Sequence, residues 1–296
     1  MNSYEQDSAF EPPFVVVEPA HQDAAFVFNA PHAGDVYPAS FLAASLLNPA
    51  ALRRSEDAFV DRLFAGVVAC GAPLMSARFP RAYLDVNREP FELDPRMFDG
   101  RLPAYANTRS MRVAGGLGTI PRVVADGHEI YRSRIPVAAG LRRIETLYKP
   151  YHRTLRALLD RTLAQFGHVV LIDCHSMPSS SQGREDGKAD IVLGDRYGTS
   201  CAGLLVDRVE AGLQDRGYRV IRNKPYAGGF ITEHYGAPLH GRHALQVEVN
   251  RALYMDERKL VPHAGFGPLA EDLSGVFASV ISDLDLGLDW TRIAAE

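Results

Sequence analysis

Two hydrophobic patterns alternate along the chain. Short, nearly continuous apolar runs fall at residues 14–17, 25–29, 73–77, 82–86, 168–173, 191–193, 219–221 and 244–249. Their length and β-branched content predict strands. Between them apolar residues recur every three or four positions, which predicts helices. One helix is expected over residues 56–70, with Phe59, Val60, Leu63, Phe64, Val67 and Val68 on one face, Ser55 as its cap and Gly71 as its stop. Others are expected over 198–215 and 268–284. A longer pattern over 137–165 contains Pro150, whose missing N–H and bulky ring should kink or divide it. Residues 99–133 are rich in Gly, Pro, Arg and Asn and only weakly periodic. So long an irregular stretch is usually functional or mobile.

Strands alternating with helices, some strands apolar throughout, predict an α/β fold: a three-layer sandwich around a mixed, mostly parallel sheet. Reactive groups in such sheets gather beyond the carboxyl ends of the strands. Residues 1–13 are expected to form a loose arm before a single domain over 14–296. Composition narrows the class of partner. A net charge of −4 offers no basic field for nucleic acid or an anionic membrane. No apolar run reaches the roughly 18–20 residues that span a bilayer, and the N-terminus lacks the pattern of a secretory signal. Three widely spaced cysteines, Cys70, Cys174 and Cys201, describe no disulfide framework. A cytoplasmic protein acting on a small molecule is expected.

The candidate chemistry lies at strand ends. His32 follows the 25–29 run in Ala30-Pro31-His32-Ala33-Gly34, and His175 follows the 168–173 run in Cys174-His175-Ser176. Glu248 interrupts an apolar strand, and a buried carboxylate is costly unless it has a partner or a task. Asp57 opens the first clear helix. Two imidazoles and one carboxylate, with a fourth position open, form the usual catalytic zinc site. Such a metal lowers the pKa of bound water towards about 7 and polarises a carbonyl, while a separate carboxylate moves the proton. His32, Asp57 and His175 fit the ligand role, and Glu248 the acid/base role. Their separations of 25, 118 and 73 residues carry no information by themselves, and no His-Glu-x-x-His motif is present.

A second constellation is basic. Arg78, Arg81 and Arg88 surround the 82–86 run, with Asn87 at its end. Guanidinium forks bind carboxylates in bidentate fashion, so an acidic substrate is implied. Taken singly, each residue has a plainer reading. His32 is a solvated turn histidine, Asp57 an acid favoured by a helix start, Glu248 the partner of a buried arginine, and Arg81 and Arg88 surface charges. His234, His240 and His243 read as a loop cluster, and Gly115-Gly116-Leu117-Gly118 does not complete a dinucleotide fingerprint.

Together the pieces resemble the N-formylglutamate amidohydrolase family. The matching stretches run in order from Pro31-His32-Ala33-Gly34 and Asp57-x-x-x-Asp61-x-Leu63-Phe64 to Arg81-Ala82-Tyr83-Leu84-Asp85-Val86-Asn87-Arg88. They continue through Gly116-Leu117-Gly118-Thr119-Ile120-Pro121, Tyr148-Lys149-Pro150-Tyr151-His152 and Asp173-Cys174-His175-Ser176-Met177-Pro178, then Gly229-Phe230-Ile231-Thr232 and Gln246-Val247-Glu248-Val249-Asn250-Arg251. The resemblance implies a zinc-carboxypeptidase-like fold with one zinc held by His32, His175 and a carboxylate. Asp57 matches the family's aspartate, and Glu56 beside it stays open as the alternative. Glu248 falls where such enzymes place the general base. Asn87 and Arg88 resemble a pair that grips a substrate carboxylate, and Arg81 would polarise the carbonyl or hold a side-chain carboxylate. Thr232 and His234 would line the substrate site. The implied reaction splits N-formyl-L-glutamate into formate and L-glutamate, a step of histidine breakdown. Three competing readings stay open: a deacylase or peptidase acting on another acidic N-acyl compound, a metal-free hydrolase with Cys174 or Ser176 as nucleophile, and a non-catalytic binder of an acidic ligand.

Overall fold

Most of the apolar runs become strands of one sheet. The computed structural model describes residues 10–124, 127–180 and 189–284. The sheet has seven strands: β1 (Phe14–Val17), β2 (Phe26–Ala30), β3 (Leu74–Ala77), β4 (Val169–Met177), β5 (Ile191–Gly194), β6 (Val220–Arg222) and β7 (Arg242–Asn250). They lie in the order β1-β3-β2-β4-β7-β5-β6. β2, β4 and β7 are parallel neighbours, as are β5 and β6, while β5 runs antiparallel to β7. The sheet is therefore mixed and mostly parallel, and the fold is α/β.

Nine α-helices accompany it among the described residues: α1 (Ala39–Ala44), α2 (Pro49–Arg53), α3 (Val60–Leu63), α4 (Met111–Ala114), α5 (Val137–Arg143), α6 (Lys149–Phe166), α7 (Gly203–Gln214), α8 (Phe230–Tyr235) and α9 (Phe266–Leu284). None is long and apolar enough to cross a membrane.

The chain divides into two compact units. One holds described residues 10–15, 31–58 and 76–154. Its core is aromatic: Tyr83 packs on both Phe10 and Phe41 at 5.2 Å, and Phe79 on Tyr151 at 6.0 Å. Residues 1–9 of the expected arm lie outside the described part, whereas Phe10 is buried and the carbonyls of Glu11 and Pro12 accept from Arg78 at 3.0 Å. The other unit holds the described residues 16–30, 59–75, 155–180 and 189–284. There Phe28 of β2 meets Phe277 of α9 edge-on at 5.0 Å and Phe64 at 6.4 Å. α9 and α7 pack closely, with Gly212 against Val276.

Two local expectations differ from what is found, and a third is met in a particular way. Residues 82–86 form turns, not a strand: Tyr83 and Leu84 both donate to Pro80 O, and Asp85 donates to Thr119 O. Their apolar side chains are buried all the same, which is why the run looked like a strand. The helix expected over 56–70 shrinks to α3 and a 3-10 segment, Ala65–Val68. Phe59 adopts φ 66° there, a left-handed conformation that no helix interior tolerates. Asp57 therefore lies ahead of the helix, and Ser55 bonds back to Leu52 O rather than capping it. Pro150 sits within α6, and the chain accommodates it with a π-helical stretch just before, Ile144–Tyr148.

Candidate active site

β4 and β7 place the second imidazole beside the carboxylate. Side chains alternate across a strand, so residues two apart share a face. On β4 one face carries Asp173 and His175; on β7 the corresponding face carries Gln246 and Glu248. His175 pairs in register with Glu248, and neighbouring strands lie about 4.8 Å apart. Each of these two residues is braced from two positions earlier on its own strand. Asp173 Oδ2 is 2.8 Å from His175 Nε2, and Asn29 of β2 donates to the other Asp173 oxygen at 2.8 Å. Gln246 donates to Glu248 Oε1 at 2.9 Å and accepts from Gly229 N at 2.8 Å. His175 lies within β4, not after its end, because the strand continues to Met177.

Cys174 and Ser176 occupy the opposite face of β4. Cys174 Sγ donates to Ile172 O, and burial pushes its thiol well up. Ser176 Oγ accepts from Arg251 at 3.1 Å. Neither shares the face of His175, so the imidazole between them in the sequence is not placed to activate either one.

The turn after β2 presents His32. Its carbonyl accepts from Asp57 N at 3.0 Å, which fixes the two segments to each other. Its Nε2 is 2.7 Å from Asp85 Oδ1, and its Nδ1 is 3.4 Å from Asp57 Oδ2. Asp85 is the hub: it accepts from Arg81 at 2.9 Å and from Asn87 N at 2.8 Å, with Arg88 3.6 Å away. Burial pushes the Asp85 carboxyl up, but Arg88, His32 and Arg81 outweigh it and hold it well below the usual range. Glu56, the alternative ligand, is held elsewhere: Arg53 donates to it at 3.0 Å, and burial raises its carboxyl pKa.

One ligand atom from each of His32, Asp57 and His175 lies within 4.8 Å of the others, and all three residues are buried. The donor set fits a small divalent metal. Both imidazoles engage a carboxylate through Nε2, leaving Nδ1 to coordinate; this carboxylate–histidine arrangement orients metal-binding imidazoles. Donors about 2.1 Å from a tetrahedral ion lie roughly 3.4 Å apart, and His32 Nδ1 and Asp57 Oδ2 already stand at 3.4 Å.

Residues 24–255 match the family model described as N-formylglutamate amidohydrolase. The chain belongs to the N-formylglutamate amidohydrolase family. It is 31% identical over 253 residues to an N-formylglutamate deformylase of Pseudomonas aeruginosa, covering 84% of this chain and 87% of that protein. It is 30% identical over 235 residues to the N-formylglutamate deformylase of Pseudomonas putida, covering 78% and 82%. Among solved structures it resembles an N-formylglutamate amidohydrolase from Ralstonia eutropha JMP134, with a TM-score of 0.86 and 35% identity over 92% of this chain and 99% of that one.

The remaining expected residues fall into place less evenly. Asn87 is buried in the turn after Asp85. Thr232 is fully buried in α8, whereas His234 on the same helix is exposed, stacks on Phe230 at 4.9 Å and accepts from Arg156 at 2.8 Å. Arg78 serves the chain near residue 11 rather than the Asp85 cluster. Asp85, Asp173 and Gln246 received no role from the sequence. For the last two the signal was available: a polar residue two positions before a candidate site residue, on the same face of an otherwise apolar strand.

Proposed function

We propose that this chain is a metal-dependent amidohydrolase that cleaves N-formyl-L-glutamate to formate and L-glutamate. The observation that carries this reading is the buried grouping of His32, Asp57 and His175, each imidazole backed by its own carboxylate, with Glu248 in register beside His175. Zinc suits these donors, and when bound it would polarise the formyl carbonyl and acidify a water molecule.

Glu248 takes the proton from the attacking water and passes it to the glutamate nitrogen as the carbon–nitrogen bond breaks. Gln246 holds Oε1 of Glu248 through a neutral hydrogen bond, which orients the carboxylate without cancelling its charge. Arg81 lies 2.9 Å from Asp85 and 4.0 Å from Asp57, so its positive charge stands beside the ligand set where negative charge builds on the carbonyl oxygen. Asn87 and Arg88 hold a substrate carboxylate, and Thr232 and His234 border the substrate from α8.

The decisive assay supplies purified, zinc-loaded protein with N-formyl-L-glutamate and measures formate and free amine. Stoichiometric release is expected, with a chelator abolishing it and zinc restoring it. Absence of formate from this substrate and from a panel of acidic N-acyl amino acids would overturn the reading.

A further inference from the structure

Arg88 has a second guanidinium for a neighbour. Arg88 is largely buried and spends much of its fork on the protein: Nε donates to Leu117 O at 2.9 Å, and Nη1 to Asn87 O at 2.7 Å. Leu117 in turn donates its N–H to Arg112 O at 2.8 Å. One residue thus ties the two arginines together. Arg112 lies in α4, a single turn capped by Ser110, whose hydroxyl accepts from Val113 N at 3.1 Å. That turn sits in the long irregular stretch.

Arg112 differs from Arg88 in what it has left to offer. Its side chain is 35% exposed, against 14% for Arg88. Its ion-pair neighbour among the described residues is Glu92, at 3.6 Å, too long for a hydrogen bond. Glu92 already accepts from Glu89 N at 3.3 Å. The N–H groups of the Arg112 guanidinium therefore have no acceptor among the described residues. The two positive charges repel, and the proximity of Arg112 adds to the burial that depresses the Arg88 pKa. Arg112 is also more exposed than Arg81, whose side chain is 25% exposed. A substrate with one carboxylate needs one fork. A second, with donors unspent, is suited to a second carboxylate.

Resting on the proposed hydrolase function, we infer that Arg112 anchors the side-chain carboxylate of a dicarboxylic substrate while Arg88 holds the other, so that Arg112 sets selectivity for acidic over neutral N-acyl amino acids. The test compares wild type, Arg112→Gln and Arg112→Lys on N-formyl-L-glutamate and its neutral isostere N-formyl-L-glutamine. Arg112→Gln should raise KM for the glutamate compound about ten-fold or more, the scale of one charge-assisted hydrogen bond. Its kcat, and KM for the glutamine compound, should stay within about two-fold. Arg112→Lys should recover part of the loss. An equal change on both substrates, or none, overturns the role. Calorimetric binding of glutarate and butyrate to the same zinc-loaded proteins separates this inference from the wider one. Wild-type protein that releases no formate overturns the hydrolase reading. Glutarate that binds Arg112→Gln as tightly as wild type overturns Arg112 alone.

Discussion

Asp85 and Asp173 show how single side chains orient the imidazoles of the proposed metal site. Each holds a histidine Nε2 at hydrogen-bond distance, 2.7 Å for His32 and 2.8 Å for His175, and so fixes the ring's tautomer and aim. The carboxylates are themselves held, Asp85 by Arg81 and the Asn87 N–H, Asp173 by Asn29. Replacing Asp173 by Asn keeps the shape but removes the charge. Zinc affinity, measured by competition with a chromogenic chelator, should fall about 10- to 100-fold. Unchanged affinity would mean that Asp173 only packs. Glu248→Gln should behave oppositely: metal content stays at the wild-type level while kcat falls about 10²- to 10⁴-fold. Full activity in that variant would remove Glu248 from the reaction and assign the proton transfer to another group. Glu248 and His175 drew attention because a carboxylate and an imidazole are unusual beside apolar strand residues, whereas His32 and Asp57 became candidates mainly through the ordered family motifs. Asp85 drew no such attention, because its partner His32 is 53 positions away and no local pattern joins them.

At the scale of elements, the strands were easier to read than the turns. Apolar runs report burial, and β2, β4, β5 and β7 are buried on both faces, so run and strand coincide. Residues 82–86 are buried equally but wound in turns, and a period-two reading cannot separate the cases. The turn that carries His32 depends on contact that no pattern announces. A Cβ at Gly34 would lie 2.2 Å from Phe79 O, so only glycine lets the turn approach that backbone. Gly34→Ala should cost about 1–3 kcal/mol in denaturant unfolding. Gly203→Ala, where nothing lies within 4 Å, serves as the near-neutral control. β7 adds a pH response at its other end. His243 is buried and its Nδ1 accepts from Ala202 N at 3.1 Å, just ahead of α7. Burial, aided by His168, pushes its pKa down to about 4 from an ordinary 6.5. The unfolded chain thus takes up this proton first as pH falls. The stability linked to neutral His243 is complete above pH 6.5 and drains away between pH 6.5 and about 4. His243→Asn, which can still accept from Ala202, should flatten the stability–pH curve in that window. An unchanged slope would assign the acid sensitivity elsewhere.

For the whole molecule, the proposed metal centre makes binding and folding one equilibrium. Its ligands come from positions 32, 57 and 175, so the unfolded chain offers no preformed site. An ion that binds only the folded state stabilises it by RT ln(1 + [L]/Kd), about 2.7 kcal/mol at one hundred times Kd. That gain is a sizeable part of the roughly 5–15 kcal/mol that holds ordinary domains together. The ordered motifs from Pro31 to Arg251 were enough to reveal the family, yet they could not reveal which of the two buried acids approaches the His32 imidazole. That choice depends on Arg53 drawing Glu56 away and on Asp57 N bonding to His32 O. A thermal melt reads both matters together. Chelated protein should melt several degrees below zinc-loaded protein, and the gap should widen with the logarithm of free zinc. Asp57→Asn and His175→Ala should each abolish the gap, while Glu56→Gln should keep it even if its own baseline Tm falls. Coincident melts for chelated and zinc-loaded wild type would refute a metal centre here. A gap lost in Glu56→Gln and kept in Asp57→Asn would transfer the third ligand to Glu56.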